Sequence, residues 1–142
     1  MKRGFEKLRE DAILPVRSTK GSAGYDFFLG EDLVVQPGEK VGINTYLKAY
    51  MQADEFLSIH IRSSVGINKG LQLVNQTGIV DSDYYNNKDN QGHIRIFVIN
   101  NTNEVVRMKA GDRIAQGIFM KYLLTDDDET DSIREGGIGS TN

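Results

Sequence analysis

The segment richest in side chains capable of chemistry places Asp81 and Asp83 two residues apart beside Tyr84. Two carboxylates next to a ring could orient a water molecule, bind a cation or simply form an Asx turn. A calcium loop of the EF type that began at Asp81 would need glycine at its sixth position and glutamate at its twelfth. The chain has Asn86 and Gly92 at those positions, so the calcium-loop interpretation fails.

Three further segments carry polar groups suited to an anion. Asp26 comes two positions after the small residues 21–24, and Arg62, Ser63 and Ser64 come directly after a predicted strand, where a guanidinium and two hydroxyls can bind an oxyanion. Gln116 shares a strand face with apolar neighbours, so its amide needs a partner or a ligand if that face is buried. Each segment has an ordinary alternative, such as a turn that opens a strand or a solvated strand end. Taken singly, none of them assigns a function.

The end of the chain differs from the rest in composition. Four acidic residues at 126–129 precede a glycine-rich stretch at 136–141. Like charges stay solvated and glycine-rich chain has little to bury, so a disordered tail is one interpretation. The other is a mobile arm that orders over a ligand, because Arg134 beside bare backbone N–H groups is suited to a phosphate.

Strands must position these groups, since apolar residues alternate with polar ones in several segments. Leu57, Ile59 and Ile61 give the clearest alternation, and residues 41–47, 94–99 and 114–119 are read as further strands. Clusters of Gly, Asn and Asp between the segments indicate turns. No long stretch repeats apolar residues at helical spacing. The pattern predicts an all-β sandwich or barrel.

The amino-acid composition excludes several classes of protein function. The chain has 142 residues, a formal net charge of −3, no cysteine and two histidines, His60 and His93. One domain is expected, and disulfides, thiolate zinc sites, iron–sulfur clusters and cysteine nucleophiles are excluded. The longest apolar run, residues 96–99, is far shorter than a membrane span, and no apolar leader follows the first residues. The chain is also mildly acidic, whereas nucleic-acid binding usually needs a basic surface. We therefore expect a cytoplasmic protein without membrane or nucleic-acid partners.

Taken together and in order, five segments resemble the five motifs of the trimeric dUTP diphosphatases (dUTPases). They are residues 23–26, residues 62–64 with Gly66, residues 78–84, residues 111–116 and residues 136–141. The similarity runs from Leu14 to the C terminus. An ordered match of five parts is specific, although none of the parts is specific alone.

The resemblance implies a jelly-roll-like β barrel over residues 1–125, with an acidic linker and a mobile Gly-rich arm over residues 126–142 that closes over the active site. It implies a homotrimer whose active sites are shared between subunits, with the arm reaching across. The implied reaction is Mg²⁺-dependent hydrolysis of dUTP to dUMP and pyrophosphate, which keeps uracil out of DNA and supplies dUMP for thymidylate synthesis. We expect no direct protein ligand to Mg²⁺, because this ion keeps its waters and prefers phosphate oxygens.

The resemblance also implies roles for individual residues. Asp81 becomes the general base, and Asp26 helps to organise water near the metal. Asn75 lies in the uracil pocket with Gly78 in the backbone near the nucleotide, and the Tyr84 ring packs under the deoxyribose, where it leaves no room for a 2′-hydroxyl. The residues expected to hold the phosphates are Arg62, Ser63, Ser64, Gln116 and Arg134.

Two other functions are weighed against this one. The dCTP deaminases share the fold and an Arg-Ser-Ser segment, but Phe97 stands at the position of their deaminating glutamate, so deamination is not expected. A catalytically silent nucleotide-binding or interaction protein on the same fold is the remaining alternative. The intact motif set, Asp81 especially, favours the enzyme.

The chain departs from the dUTPase pattern in two places. An insertion of about six residues, rich in Asn and Asp, follows the third motif. The fifth motif is one residue shorter than usual and has Ile138 where the family has a phenylalanine that covers uracil. An aliphatic side chain can shield a base but cannot stack on it. Our hypothesis is that His93, at the end of the insertion, supplies the missing ring; a solvent-facing loop histidine is the alternative.

Overall fold

The computed structural model describes residues 1–139, and Ser140 and Thr141 of the predicted fifth motif lie outside them. Almost all of its regular structure is β-strand, as predicted from the alternating pattern. The strands of the described residues are β1 (Gly4–Lys7), β2 (Tyr25–Phe28), β3 (Leu33–Val35), β4 (Lys40–Asn44), β5 (Leu47–Tyr50), β6 (Glu55–Ile61), β7 (Leu71–Leu73), β8 (Gly78–Asp81), β9 (Arg95–Asn100), β10 (Val106–Met108) and β11 (Arg113–Lys121).

The strands form a jelly-roll-like arrangement of antiparallel sheets. The four-stranded sheet has the order β2-β11-β6-β8 and the three-stranded sheet the order β4-β9-β7, while β1 pairs with β5 and β10 with β3. Alternate residues of these strands point into one core. Its fully buried side chains include Phe27, Leu29, Val35, Leu47, Leu57, Val65, Leu71, Ile94, Ile96, Val98 and Ile114.

One predicted strand is two strands in the structure. The alternation over residues 41–47 predicts a single element, but β4 ends at Asn44 and Tyr46 has a positive φ of 55°. The Thr45 hydroxyl donates to the carbonyl of Ile94 at 2.6 Å, which ties the bend to the start of β9. After the bend, β5 pairs with β1 instead. The alternation continues through the bend, so the sequence pattern alone does not show it.

Helical structure in the described residues is confined to short turns. A π-helical turn, Val65–Lys69, ends at Gly70, whose φ of 74° is left-handed. A 3₁₀ turn, Ser82–Tyr84, follows β8 directly. None of the helical segments in residues 1–139 has the length and apolar character needed to cross a membrane.

Candidate functional site

A cavity of about 230 Å³ opens at β8 and will be called the Asp81 cavity. β8 ends at Asp81, and the 3₁₀ turn then brings the Tyr84 ring to the cavity wall. Asn75, from the loop before β8, and Gly78, the first residue of β8, lie on the same wall. The rest of the lining is Ile59, Ile79, Val80, Ile94, Arg95, Phe97, Arg134, Gly137, Ile138 and Gly139. Carboxylate, amide, aromatic and apolar groups therefore converge on one small volume.

Tyr84 is held rigidly in the wall of the Asp81 cavity. Its hydroxyl donates to the carbonyl of His93 at 2.6 Å and accepts from Asn90 Nδ2 at 2.9 Å. Burial raises the pKa of the Tyr84 hydroxyl, against the opposing hydrogen bond from Asn90. The ring thus presents a fixed apolar face, and the phenol stays protonated at neutral pH.

Arg134 brings the C-terminal arm onto the same cavity. Its Nη2 lies 2.7 Å from Asp81 Oδ2 and its Nε lies 2.7 Å from Asp83 Oδ1. The guanidinium side chain is only 10% exposed, whereas the side chains of the two carboxylates are more than half exposed. Farther along the arm, Gly137 and Ile138 line the cavity. The arm, expected to reach across to another subunit, contacts its own chain here.

A second cavity, of about 300 Å³, contains the other predicted phosphate-binding groups and will be called the Arg62 cavity. Its lining consists of Ser18, Ser22, Gly24, Asp26, Arg62, Ser63, Ser64 and Gln116. Arg62 comes directly after β6, as the alternation predicts. The Ser63 and Ser64 side chains are exposed at the head of the π-helical turn. Hydroxyl, amide and guanidinium donors therefore face one open volume.

Asp26 is the buried anchor of the Arg62 cavity and is only 5% exposed. Ser18 Oγ donates to its Oδ2 at 2.6 Å. Arg113 Nε and Arg62 Nε lie 3.6 Å and 3.9 Å from its carboxylate oxygens. Sequence reasoning missed Ser18 and the role of Arg113. Arg113 stands inside the fourth motif and its charge could have been noticed, whereas no local pattern distinguishes Ser18.

Gly24 shows why the first motif needs glycine. A Cβ at this position would collide with Gln116 Oε1 and would lie 3.0 Å from Gln116 Cβ. The glycine therefore lets the side chain of the fourth motif lie flat against the backbone of the first, so the two motifs fit together as one surface.

The two cavities lie at opposite corners of the four-stranded sheet. Asp26 pairs with Gln116, which pairs with His60. Asp81 pairs with Phe56 on the other side of β6, four residues along the strand from His60. Three strand spacings and four residues correspond to roughly 14 Å and 13 Å, so the backbones at Asp26 and Asp81 are about 20 Å apart. Among the described residues, none lines both cavities. One chain therefore does not bring its own predicted site together.

The structure does not support His93 as a cover for the base within one chain. The ring is outside the lining of the Asp81 cavity. Its Nε2 accepts from the backbone N–H of Tyr46 at 3.0 Å, and it stacks on the Tyr46 ring with centroids 5.0 Å apart. Burial, and then the positive charge of Arg95, lower the pKa of His93. The neutral imidazole therefore stabilises the bend between β4 and β5 through its contacts with Tyr46.

The described residues contain no group of three or more His, Asp or Glu side chains placed to hold a metal ion. Asp26 is already paired with two guanidinium groups, and Asp81 and Asp83 are paired with Arg134. This donor set fits a Mg²⁺ ion that is bound chiefly by phosphate oxygens and water.

A jelly-roll-like fold with an arginine–serine cavity and a separate carboxylate cavity defines a β protein suited to an anionic ligand. The dUTPase family model matches residues 10–142. The deoxyuridine 5′-triphosphate nucleotidohydrolase of Lactococcus lactis subsp. lactis is 48% identical, over 98% of this chain and 97% of that protein. The chain belongs to the dUTPase family, which confirms the resemblance of the five motifs.

Solved structures share the fold. The dUTPase from Streptococcus mutans matches with a TM-score of 0.78 at 44% identity, over 87% of this chain and 98% of that chain. A point mutant of the dUTPase from phage phi11 of S. aureus matches with a TM-score of 0.77 at 21% identity, over 94% of this chain and 99% of that one. The predicted β architecture is thus confirmed by relatives of high and of low identity.

Proposed function

We propose that this protein hydrolyses dUTP to dUMP and pyrophosphate by attack of water on the α-phosphorus. The observation that carries the proposal is the division of the expected residues into two cavities of complementary chemistry. One offers a carboxylate, a ring and an apolar wall, and the other offers guanidinium, hydroxyl and amide donors. Family membership and the 48% identity to a named nucleotidohydrolase support the same reaction.

The Asp81 cavity takes the deoxyuridine. Asp81 accepts a proton from the attacking water, and a positioned base of this kind contributes roughly 10²–10⁴-fold to the rate. The amide of Asn75 can donate and accept, so it matches the edge of uracil, and Gly78 lets the backbone approach the base. The Tyr84 ring, fixed by Asn90 and the His93 carbonyl, packs under the deoxyribose. Ile138 covers the base by apolar contact.

The Arg62 cavity takes the phosphates. Arg62, Ser63, Ser64 and Gln116 stabilise the charge that moves onto the pyrophosphate leaving group, and Arg134 adds a guanidinium from the arm. Mg²⁺ is the proposed cofactor, and when bound with the triphosphate it neutralises phosphate charge. The phi11 enzyme is described with a structural Mg(II) ion. In this chain, Asp26 orients water beside the phosphates, because its own oxygens are fixed by Ser18 and two arginines.

The active site is proposed to form between chains. A general base must lie within hydrogen-bond reach of the proton it removes, and about 20 Å separates Asp81 from Asp26 along one sheet. The Arg62 cavity of one chain therefore faces the Asp81 cavity of another, in the homotrimer typical of the family. Residues 1–125 form the barrel domain and residues 126–142 the linker and arm. A cytoplasmic location, without nucleic-acid or membrane partners, stays a prediction of the sequence.

The first test is pyrophosphate release with Mg²⁺ and dUTP, dCTP, dTTP or UTP. We expect turnover of dUTP alone. Asp81→Asn keeps the size of the side chain but removes its basicity, so kcat should fall by roughly 10²–10⁴-fold. The affinity for a non-hydrolysable dUTP analogue, measured by calorimetry, should change less than about threefold, because the other contacts remain.

The outcomes separate the two candidate functions. A wild-type protein that binds dUTP without releasing pyrophosphate would be the silent nucleotide-binding protein. Equal turnover of UTP would remove the role given to Tyr84, and Asp81→Asn with normal turnover would remove the role given to Asp81.

A further inference from the structure

The insertion after the third motif brings a new side chain to Tyr84. The inserted residues 86–91 will be called the insertion loop. The chain leaves the wall of the Asp81 cavity after Tyr84 and returns to it at Ile94, and both of these residues line the cavity. Asn90, in the insertion loop, is not among the described residues of the lining. Its Nδ2 nevertheless donates to the Tyr84 hydroxyl at 2.9 Å. Asn90 therefore contacts the tyrosine without contacting the volume that a ligand would fill.

The amide of Asn90 is held in one orientation. Its Oδ1 accepts from Asn87 Nδ2 at 2.7 Å and from the backbone N–H of Gly92 at 3.0 Å. Because two N–H groups use the oxygen, the amide nitrogen faces Tyr84, and a nitrogen of this kind can only donate. The phenol then gives its single hydrogen to the carbonyl of His93, at 2.6 Å. The Tyr84 hydroxyl thus has two hydrogen bonds of fixed direction, one of them from the insertion loop.

The insertion loop is fixed internally by a buried amide. Asn87 is 6% exposed, and its Nδ2 also donates to the Tyr84 carbonyl at 2.7 Å. Its Oδ1 accepts from the backbone N–H groups of Asp89 and Asn90 at 3.0 and 3.1 Å. Asn87 therefore joins the backbone that precedes the loop to the residue that holds the phenol.

The start of the insertion loop is anchored to the barrel. Lys48, in β5, donates from its Nζ to Asn86 Oδ1 at 2.5 Å. The hydroxyl of Tyr85 donates to Glu6 Oε1 in β1. The contacts of the loop described so far join it to the barrel and to residues next to it in sequence, and none of them involves the C-terminal arm. The support for Tyr84 therefore does not depend on where the arm lies.

We propose that Asn90 is a positioning residue that fixes the Tyr84 ring and thereby sets the discrimination between deoxyribose and ribose. A 2′-hydroxyl adds one oxygen atom to the sugar, so a ring held in place excludes it by contact, whereas a ring free to shift admits it. The inference rests on the proposed function, because that function places the deoxyribose on the Tyr84 ring. It extends that function by giving a role to the insertion through which this chain departs from the dUTPase pattern.

The discrimination is measured as the ratio of the Kd values of the non-hydrolysable α,β-imido analogues of UTP and dUTP, by calorimetry with Mg²⁺. In Asn90→Ala this ratio should fall about fivefold, the factor that corresponds to one net hydrogen bond. The kcat for dUTP should change less than the ratio, because Asn90 does not touch the reacting atoms. Asn101→Ala makes the same change at an exposed residue outside the cavity lining. It is the matched control and should leave the ratio unchanged.

Asn90→Asp separates the contact with Tyr84 from the folding of the insertion loop. The carboxylate keeps an acceptor for Asn87 and Gly92, but it has no N–H to donate to the phenol. The single hydrogen of the hydroxyl can then serve either the carboxylate or the His93 carbonyl, so one of the two hydrogen bonds is lost. The ratio should fall as it does in Asn90→Ala. A ratio that falls only in Asn90→Ala would overturn the proposal, because the fold of the loop, and not the donor, would be responsible.

A double-mutant cycle tests whether Asn90 acts through the hydroxyl of Tyr84. Tyr84→Phe keeps the ring and removes the hydroxyl, so it should lower the ratio by about the same factor as Asn90→Ala. The variant with both changes should show no further loss, because the two residues share one interaction. A combined loss equal to the product of the two single losses would overturn the proposal, since independent effects multiply.

The binding measurements need no turnover, so they separate this inference from the proposed function. A protein that prefers the dUTP analogue and loses this preference in Asn90→Ala, but never hydrolyses dUTP, would uphold the inference and overturn the proposed reaction. A protein that hydrolyses dUTP and keeps its ratio in Asn90→Ala would overturn the inference and leave the reaction standing. Equal affinity of the wild-type protein for the two analogues would also overturn the inference.

Discussion

At the scale of single residues, a buried asparagine side chain stabilises the turn after β9 by hydrogen bonds. Asn100, the last residue of β9, is fully buried. Its Nδ2 donates to the carbonyls of Val35 and Glu104 at 2.9 and 2.8 Å, and its Oδ1 accepts from the backbone N–H and the hydroxyl of Thr102. A cluster of Asn and Thr at 100–103 predicts a turn, but only the structure shows that one side chain connects this turn to β3.

Asn100→Ala should therefore be strongly destabilising. The change removes four hydrogen bonds made by a fully buried side chain, takes a donor away from the Val35 carbonyl and opens a small cavity, so the free energy of unfolding should fall by about 3 kcal/mol. Thermal unfolding followed by circular dichroism measures the effect. Asn101→Ala, which alters the exposed neighbour, is the control and should stay within about 0.5 kcal/mol of wild type.

The types of residue predicted which functional groups the site contains better than they predicted which residues lie next to one another in the fold. Asp81, Tyr84 and Arg134 meet at one cavity, although Arg134 is more than fifty positions from Asp81 in the sequence. Within one chain, His93 accepts from the backbone N–H of Tyr46 and does not line the Asp81 cavity, so its role as the cover over the base stays a prediction. A histidine next to a loop has the same local sequence whether it faces a ligand or a backbone N–H, so only tertiary packing decides between them.

At the scale of elements, the sequence pattern predicted the long central strands and missed several of the short ones, although Val105 and Val106 predict a short β segment that overlaps β10. β6 and β11 are the longest strands of the described residues, with 7 and 9 residues, so their sequence pattern extends far enough to be recognised. β1 has four residues of intermediate or high exposure and shows no contrast between its faces. Its pairing with β5 joins segments that are far apart in sequence, and such contacts leave no local pattern.

The arm is the element whose removal best separates function from stability. Deletion of residues 131–142 removes Arg134 and the cover over the Asp81 cavity. We expect kcat/KM for dUTP to fall about a hundredfold, as for the loss of one preorganised charge donor. The melting temperature should change by less than about 2 °C, because residues 131–133 and 135 are exposed and the core contains no part of the arm.

Two results for the truncated protein would contradict this prediction. A melting temperature lowered by many degrees would mean that the arm belongs to the folded core. A truncated protein with normal kcat/KM would mean that Arg134 takes no part in turnover.

At the scale of the whole molecule, the separation of the two cavities predicts complementation between inactive chains. Arg62→Ala disables one cavity and Asp81→Asn disables the other, so each variant alone should be inactive. Co-expressed with different affinity tags and purified as mixed assemblies, they should regain activity at about one third of the sites, since only one of the three contacts in a mixed trimer takes each intact half from the right parent. Pyrophosphate release measures the recovery. Mixed assemblies that stay inactive would place both halves of each site in one chain.

The same separation has a consequence for the life of a newly made chain. A polypeptide that has folded but has not yet met its copies carries two incomplete half-sites about 20 Å apart. On the proposal that the site forms between chains, such a chain would not cleave dUTP. Assembly would then be the step that switches the protein on, and the cell would gain catalytic capacity only as fast as its chains find one another.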